Sequence, residues 1–220
     1  CSSDLSQKVK AKKEERKRET EMLNRKRAQI KESEAIEDLL TLIPIFKEYN
    51  KNGINAEIVS FNKMPDELID WALKLVEKNM KKIYEDTWGW NADTKEGELI
   101  NESARFLIAF AEGKPIGFIH FRFELENGET SSFIYDIQLE EKHFHKGLGR
   151  FLLQAVEFIT LKLKLDSVMV SVFKENVVGR SFFHSMKYIQ HKTSPVVYDP
   201  ENAHEYDNEI LYKPLTKANK

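Results

Sequence analysis

The spacing of apolar residues divides the chain into a sparse N-terminal helix and a compact body. Helix-forming residues run over 8–36 without Gly or Pro, and the few apolar positions predict a helix that docks by its C-terminal half. An apolar patch over 39–46 and a turn signal ending at Gly53 follow. We therefore expect a helical arm at 1–38, a compact domain at 39–215 and a C-terminal tail at 216–220.

Within the body, strand-like and helix-like periods follow one another. Strand-like segments fall at 56–61, 105–111, 116–124 and 131–139, and turn signals at 112–114 and 127–128 join the last three as an antiparallel meander. Helical spacing over 65–83 leads into a loop containing Trp88-Gly89-Trp90. Further helices are predicted at 148–163 and 177–186, with strands at 167–172, 188–191 and 209–212. This order predicts a mixed α/β fold in which helices flank a largely antiparallel central sheet.

A glycine-containing turn lies between the fourth predicted strand and the following helix. It reads Lys146-Gly147-Leu148-Gly149-Arg150 and looks like a pyrophosphate cradle. Two glycines one residue apart let the backbone approach an anion closely, and the helix start offers unpaired N–H groups. The run lacks the first glycine and the Lys-Ser/Thr ending of a P-loop, and it lacks the third glycine of the dinucleotide fingerprint. It therefore argues against a nucleotide hydrolase and a Rossmann dehydrogenase.

Composition adds a charge partition to this picture. The 220 residues carry a formal net charge of −2, but residues 1–34 hold eleven Lys/Arg against seven Asp/Glu, and the remainder holds 23 against 29. The basic arm could contact a ribosome, nucleic acid or an import receptor, but its interleaved glutamates equally fit a solvated helix with i,i+4 pairs. Apolar runs are too short for a membrane span and no signal peptide is evident, so we expect an intracellular protein. We expect no direct binding to nucleic acid.

Cysteine and histidine usage limits the chemistry. Cys1 is the only cysteine, so the sequence offers no intrachain disulfide, no cysteine-based zinc site and no internal thiol nucleophile. His143 and His145 adjoin the glycine turn, but two imidazoles without carboxylate or cysteine partners make a poor metal site. We therefore expect no metal and, for any acyl transfer, direct attack without a cysteinyl intermediate.

The order of elements around the glycine turn resembles the Gcn5-related N-acetyltransferase superfamily, in which a Gln/Arg-x-x-Gly-x-Gly/Ala motif follows the fourth strand. Here the motif reads Phe144-His145-Lys146-Gly147-Leu148-Gly149, with phenylalanine at its first position. A second superfamily pattern is present loosely as Asn176, Gly179, Phe183, Lys187 and Tyr188. The resemblance implies acetyl-CoA as co-substrate, and it puts Phe183 where many members have a tyrosine as general acid.

Segments across 43–213 are similar to the N-alpha-acetyltransferase D family, and the basic arm is similar less specifically. These segments read IPIFKEYNKNGINAEI, DWALKLVEKNMKKIYEDTWGW, HFRFELENGE, YDIQLEEK, HKGLGRFLLQ and VMVSVFKENVVG. Members of that family use acetyl-CoA to acetylate the α-amino group of histones that begin Ser-Gly-Arg-Gly. The resemblance therefore implies an N-terminal acetyltransferase whose partners are histone N-terminal tails.

The same resemblance implies a catalytic role for Asp136, where the superfamily carries glutamate, with Tyr135 as a substrate contact or substitute acid. The alternative is an exposed acid on the polar phase of the strand. In simple alternation Ile134, Asp136 and Gln138 share one phase and Tyr135 the other. A bulge, which the superfamily places in this strand, would change that alternation.

Two groups of binding residues follow from the resemblance. The coenzyme is expected at Ile137, Gln138, Leu139, His145, Lys146, Gly147, Leu148, Gly149, Arg150 and Asn176. The peptide is expected at Tyr84, Trp88, Glu124, Glu126, Tyr135, Ser171 and Asn208. Packing or an ordinary polar strand face would also explain the latter residues, and Tyr206 could take the place of Asn208.

Two other functions stay open at this point. One is another acetyltransferase of the superfamily that acts on lysine or small amines and would share only the coenzyme site. The other is a non-catalytic acetyl-CoA-binding module, which would fit the replacements at Asp136 and Phe183. We expect a monomer in the cytoplasm and nucleus, because the basic runs of the arm permit import.

Overall fold

The computed structural model describes residues 2–215. Cys1 and the predicted tail at 216–220 lie outside the described residues. None of the helices within 2–215 combines the length and the apolar character that a membrane span requires.

The elements of the described chain follow the predicted order with three additional helices or strands. The helices are α1 (Ser2–Glu34), α2 (Ile69–Glu85), α3 (Ala92–Leu99), α4 (Leu148–Lys162), α5 (Val177–Ser185) and α6 (Pro195–Tyr198). The strands are β1 (Glu48–Lys51), β2 (Ile54–Phe61), β3 (Arg105–Ala111), β4 (Lys114–Glu126), β5 (Glu129–Leu139), β6 (Ser167–Phe173), β7 (Ile189–Gln190) and β8 (Asn208–Pro214). Short 3-10 turns lie at Leu39–Leu42, Pro44–Phe46, Asp66–Leu68, Glu141–His143 and Ala203–Glu205.

The strands form one open sheet in the order β1-β2-β3-β4-β5-β6-β8-β7. Neighbouring strands are antiparallel, except that β5 and β6 run parallel. A parallel pair needs a crossover connection, and α4 supplies it. The prediction of a mixed, largely antiparallel sheet flanked by helices is confirmed.

Helices cover both faces of the sheet. On one face α4 buries Leu152, Leu153 and Val156 against residues of β3 and β4 such as Leu107. On the other face α2 buries Leu75 and neighbouring residues against the opposite phase of β3 and β4. Each strand residue therefore contributes to one of two cores according to its phase.

The C-terminal half of α1 docks on the domain through polar contacts. The Lys26 ammonium donates to the backbone carbonyl of Gly128 and to the Asp166 carboxylate, both at 2.7 Å. The Gln29 amide donates to the carbonyls of Leu163 and Lys164 at 2.9 Å each. These contacts fasten the arm to the hairpin between β4 and β5 and to the loop after α4.

Three of these elements were not predicted from the sequence, namely β1, α3 and the one-turn helix α6. β1 lies in the segment interpreted as a turn, and Asn52 and Gly53, with φ of 54° and 75°, close its hairpin with β2. α3 lies in the segment interpreted as a loop. Asn91 caps it by accepting a hydrogen bond from the Thr94 amide at 2.8 Å, and Leu99 is fully buried.

Candidate active site

A wedge opens in the middle of the sheet, between β5 and β6. The two strands pair from Ser131 and Ser167 as far as Ile134 and Val170. Beyond that point β5 continues to Leu139 on β4, and β6 continues to Phe173 on β8. In the described chain, one edge of β5 beyond Ile134 therefore has no partner strand and is available for β-like pairing with an extended ligand.

The glycine turn lies at the end of this wedge. Gly147 precedes α4 with φ of 88°, a conformation that favours glycine, and a Cβ there would lie 2.7 Å from the Tyr49 hydroxyl. The carbonyl of Lys146 accepts hydrogen bonds from Tyr49 at 2.5 Å and from Asn52 at 2.9 Å. The β1–β2 hairpin thus holds the turn in place, although sequence analysis gave that hairpin no role.

The N–H groups of the first turn of α4 lack intrahelical partners, as in any α-helix, and point out of the helix start. Gly149 lies over the end of β5, since a Cβ there would meet Leu139 and Ile137 at 3.6 and 3.9 Å. Leu148 is fully buried in the core, so only its backbone can serve a ligand. His145 and Arg150 are exposed beside the turn.

Two of the expected coenzyme residues have side chains that are engaged within the protein. The Gln138 amide oxygen and the Leu139 carbonyl both accept from the Asn79 amide, at 3.0 and 3.1 Å. The Asn176 carbonyl oxygen caps α5 by accepting from the Gly179 amide at 2.9 Å. Asn79, which the sequence analysis counted only as a helical position, therefore ties α2 to the end of β5.

A β-bulge places both expected catalytic residues on one face of the sheet. His120 on β4 lies opposite Asp136, whereas Phe121 lies opposite Ile134, so Tyr135 is the extra residue. The Tyr135 ring stacks on His120 at 4.9 Å, on the face that α2 and α3 cover. Ile134 belongs to the core on the opposite face. The prediction of simple alternation was therefore wrong, because the bulge adds one residue to β5 between Ile134 and Asp136.

Asp136 is buried, with 6% of its surface exposed, so the alternative of a solvent-facing acid is also wrong. One carboxylate oxygen accepts from the Gln138 amide at 3.0 Å, and the other lies 3.6 Å from the Lys95 ammonium. Burial raises the pKa of Asp136 above its usual range, although Lys95 and Gln138 act in the opposite direction. The carboxylate is a stronger base than an exposed aspartate.

His120 is fully buried between the rings of Phe106 and Tyr135, at 4.6 and 4.9 Å. Neither ring nitrogen has a hydrogen-bond partner among the described residues. Burial lowers the pKa of His120 well below its ordinary value, and the positive charges of Arg122 and Lys95 act in the same direction. The imidazole is therefore neutral at physiological pH.

A cavity of about 480 Å³ lies beside Tyr135, at the open side of the wedge. Its walls are Glu124, Leu125, Glu126, Phe133, Tyr135, Ser171 and Ile210. Four of the seven residues expected to contact the peptide, namely Glu124, Glu126, Tyr135 and Ser171, thus line one cavity. Asp136, the next residue after Tyr135, does not line the cavity.

The polar groups of this cavity are linked to one another. Tyr135 donates to the Glu124 carboxylate at 2.8 Å, and the Arg122 guanidinium lies 4.1 Å from the Tyr135 ring centroid. Burial and the Glu124 charge raise the pKa of Tyr135 to about 12. Burial also raises the pKa of Glu124, against the opposing hydrogen bond from Tyr135. The phenol therefore stays protonated and donates its hydrogen bond to Glu124.

The remaining expected peptide contacts lie around the cavity. Asn208 donates to the Ser171 hydroxyl at 2.8 Å, which places it on the same wall. Tyr206 instead donates to Asp199 at 3.2 Å. Tyr84 and the exposed Trp88 both make edge contacts with the Phe173 ring, at 5.0 and 4.6 Å, and so form one aromatic cluster at the end of β6.

Lys95 is the residue of this region that sequence analysis missed most completely. It lies on α3, is buried, and pairs with Glu98 at 2.5 Å and with Asp136 at 3.6 Å. The Asn91 cap just before Ala92 is a helix-start signal that would have revealed α3. No signal in the sequence places Lys95 beside Asp136, because their contact depends on how α3 packs on β5.

Within residues 2–215, no cluster of three or more histidine, cysteine or acidic side chains has a geometry suited to a metal ion. His143 and His145 do not form such a cluster.

Solved acetyltransferases share the overall fold of this chain. The chain is similar to PaiA N-acetyltransferase from Thermoplasma acidophilum in complex with coenzyme A, with 20% identity and a TM-score of 0.55 over 73% of this chain and 99% of that one. It is similar to the ribosomal-protein-S18-alanine N-acetyltransferase from Escherichia coli, with 15% identity and a TM-score of 0.53 over 75% and 97%. Ard1 from Thermoplasma volcanium matches with 15% identity and a TM-score of 0.52 over 74% and 99%.

The sequence model of the acetyltransferase (GNAT) family matches residues 67–188, which is more than half of the chain. The protein belongs to that family and is a GNAT acetyltransferase that uses acetyl-CoA. The wedge and the turn fit this co-substrate, because the positive φ of Gly147 shapes the turn at the start of α4 and the unpaired edge of β5 can accept an extended arm. The backbone of residues 137–139 and 145–150 would hold the co-substrate.

Proposed function

We propose that the protein transfers an acetyl group from acetyl-CoA to the α-amino group of an N-terminal serine, on histones that begin Ser-Gly-Arg-Gly. The observation that carries this proposal is the cavity beside Tyr135, which has carboxylates of Glu124 and Glu126 in its wall. A substrate arginine two residues from the reacting amine would find charge-assisted, bidentate partners there. Histone N-terminal tails are the partners that this chemistry favours.

The lining of the cavity supports a small N-terminal residue. The Phe133 and Tyr135 rings, the Ser171 hydroxyl and the two glutamates line a volume of about 480 Å³ that is open to solvent. Serine has a small side chain and glycine has none, which leaves room for the arginine side chain to reach the acids. One protein of similar fold is named for acetylating an alanine of a ribosomal protein, and it supports a protein substrate for this fold.

The reaction needs a neutral amine and a group that takes up its proton. Acetyl-CoA supplies the thioester whose carbonyl carbon the amine attacks, with formation of the C–N bond and release of the thiol. An α-amine has a pKa of about 8 and a lysine about 10.4, so deprotonation of the N-terminus costs roughly 3 kcal/mol less. A modest base is therefore sufficient for an N-terminal substrate.

Asp136 is the base in this proposal. Burial raises its pKa, and one of its oxygens has no hydrogen-bond partner within the described chain. Because Asp136 is not in the cavity wall, it takes up the proton through solvent. Tyr135, which stays protonated below pH 12 or so, orients the Glu124 carboxylate and does not serve as the base.

The test is transfer from labelled acetyl-CoA to three peptides. The first begins Ser-Gly-Arg-Gly, the second is identical with a blocked N-terminus and free lysines, and the third has alanine in place of arginine. The proposal expects transfer to the first, none to the second and weaker transfer to the third. Transfer to the blocked peptide would identify a lysine acetyltransferase, and coenzyme binding without any transfer would identify a non-catalytic module.

Two further expectations accompany this function as proposals. We propose that the protein works as a monomer in the cytoplasm and the nucleus, where histones are made and stored. The basic α1 arm is proposed to contact the ribosome. Co-sedimentation of the full chain with ribosomes, with and without residues 1–25, tests the latter directly.

A further inference from the structure

The buried lysine on α3 has no assigned part in the reaction. The Lys95 side chain is only 6% exposed, and lysine is almost never buried unless it is paired. Its ammonium lies 2.5 Å from Glu98, 3.6 Å from Asp136 and 5.1 Å from the Tyr84 ring centroid. These three contacts join α3, the bulged strand β5 and the aromatic cluster at one point.

We propose that Lys95 is a positioning residue that sets the proton affinity and orientation of the general base Asp136. The proposal rests on the function proposed above, in which Asp136 receives the amine proton. It goes beyond that function because it assigns the base an internal cationic partner on a separate helix. Lys95 itself touches neither the cavity nor the glycine turn.

The charge balance of the cluster gives the physical reason. With Lys95 protonated, the group formed by Lys95, Glu98 and Asp136 carries one net negative charge, and it becomes neutral when Asp136 takes up a proton. Without the lysine, Asp136 would lose this compensating charge while the Glu98 carboxylate stayed nearby, so Asp136 would hold its proton up to a higher pH. Over that pH range Asp136 would already be protonated when the substrate amine arrives.

The surroundings of Asp136 are otherwise poor in positive charge. Its oxygens face Lys95 and Glu98 from α3, and Tyr84 lies nearby on α2. From β4 the neutral His120 lies directly opposite, and Arg122 is engaged at the Tyr135 ring and at the Glu98 carbonyl. Gln138 and Tyr135 are its neighbours on β5. Lys95 is therefore the cation that acts on this carboxylate at short range.

The direction of the pKa values agrees with this geometry. Burial raises the pKa of Asp136 and the Lys95 charge lowers it, whereas the Glu98 charge raises it. Burial lowers the pKa of Lys95, but the charges of Asp136 and Glu98 outweigh that effect and keep the ammonium protonated. Removal of Lys95 should thus raise the pKa of Asp136, and removal of the Glu98 charge should lower it.

The experiment measures the titration of Asp136 directly, by NMR of protein labelled with ¹³C at the aspartate carboxyls. The Asp136 signal is assigned as the one absent from Asp136→Asn. In Lys95→Met its midpoint should rise by about 1 to 3 pH units. In Glu98→Gln it should fall, and in Lys95→Arg it should stay close to wild type. Lys74→Met removes an exposed lysine–carboxylate pair and is the matched control, with no expected change.

The pH dependence of kcat supplies the functional readout. Its acid limb should move in the same direction as the NMR midpoint in Lys95→Met and in Glu98→Gln. A structural role alone would lower stability or turnover without moving either quantity. If Lys95→Met does not fold, the direction in which Glu98→Gln shifts the Asp136 midpoint still tests the proposal.

The two proposals fail in different ways. If Asp136→Asn keeps full turnover and the same acid limb, Asp136 is not the base, and the role of Lys95 fails with it. If Asp136→Asn loses turnover but the Asp136 midpoint moves by less than about half a unit in Lys95→Met and Glu98→Gln, the proposed base stands. In that case only the role of Lys95 is overturned.

Discussion

Replacement of Gly147 by alanine should destabilise the protein and weaken acetyl-CoA binding together. Gly147 has φ of 88°, where a residue with a Cβ costs about 1–2 kcal/mol. The new Cβ would also lie 2.7 Å from the Tyr49 hydroxyl, and the buried Tyr49 ring packs 5.0 Å from Phe151 and has little freedom to move.

The size of the effect follows from these contacts. Displacement of Tyr49 breaks its hydrogen bond to the Lys146 carbonyl, which contributes about 1 kcal/mol net. The total loss is therefore roughly 2–3 kcal/mol. At about 2–4 °C per kcal/mol for a chain of this size, Tm should fall by roughly 4–12 °C.

The assay is thermal unfolding of four variants, followed by the KM for acetyl-CoA. Gly113→Ala is the matched control, because Gly113 also has a positive φ, 72°, but a Cβ there would meet nothing within 4 Å. Gly113→Ala should lose only the stability that the positive φ costs a residue with a Cβ, and it should keep its KM for acetyl-CoA. Tyr49→Phe alone should lose about 1 kcal/mol.

The decisive comparison is the double variant Tyr49→Phe/Gly147→Ala. The methyl group and the hydroxyl conflict only when both are present, and the hydrogen bond can be lost only once. The double variant should therefore be more stable than the sum of the single effects by about 1 kcal/mol. Strict additivity would refute this account, as would an equal rise in KM for Gly113→Ala.

Three further predictions concern the cavity, the buried histidine and the arm. Glu124→Gln should raise the KM for a Ser-Gly-Arg-Gly peptide about tenfold or more and leave the peptide with alanine in place of arginine unaffected; equal effects on both would argue against an arginine contact. His120→Phe should equal or exceed wild type in the free energy of unfolding, with an advantage that grows as pH falls below about 6.5, because the lowered pKa of His120 means that the unfolded chain takes up the proton first. Denaturant titrations at pH 7.5 and 5.5 measure this, and a constant difference would contradict it. The pKa of Asp166 is lowered: burial alone would raise that pKa, but the hydrogen bonds from Lys26 and Thr130 lower it by more. Its stabilisation is thus present above about pH 4 and lost on further acidification, and Lys26→Met should reduce that pH dependence in the same titration, with the Thr130 hydrogen bonds retaining the rest.

The sequence by itself determined most of the order of the elements and the position of the glycine turn. Alternating apolar residues in β3 to β5 and the 3.6-residue spacing of α2 and α4 depend on local period, so they are readable without the fold. The glycine turn was likewise recognisable, because the need for positive φ and close backbone approach is a property of Gly147 itself.

Only the tertiary structure decided which side chains meet at the site. Simple alternation put Tyr135 and Asp136 on opposite faces, and the bulge opposite His120 put them on the same one. Register between strands depends on pairing with a distant segment, which no local period encodes. Lys95 shows the same limit more strongly: a lysine is expected to be solvated, and it became the partner of Asp136 because α3 packs over β5 and buries both side chains.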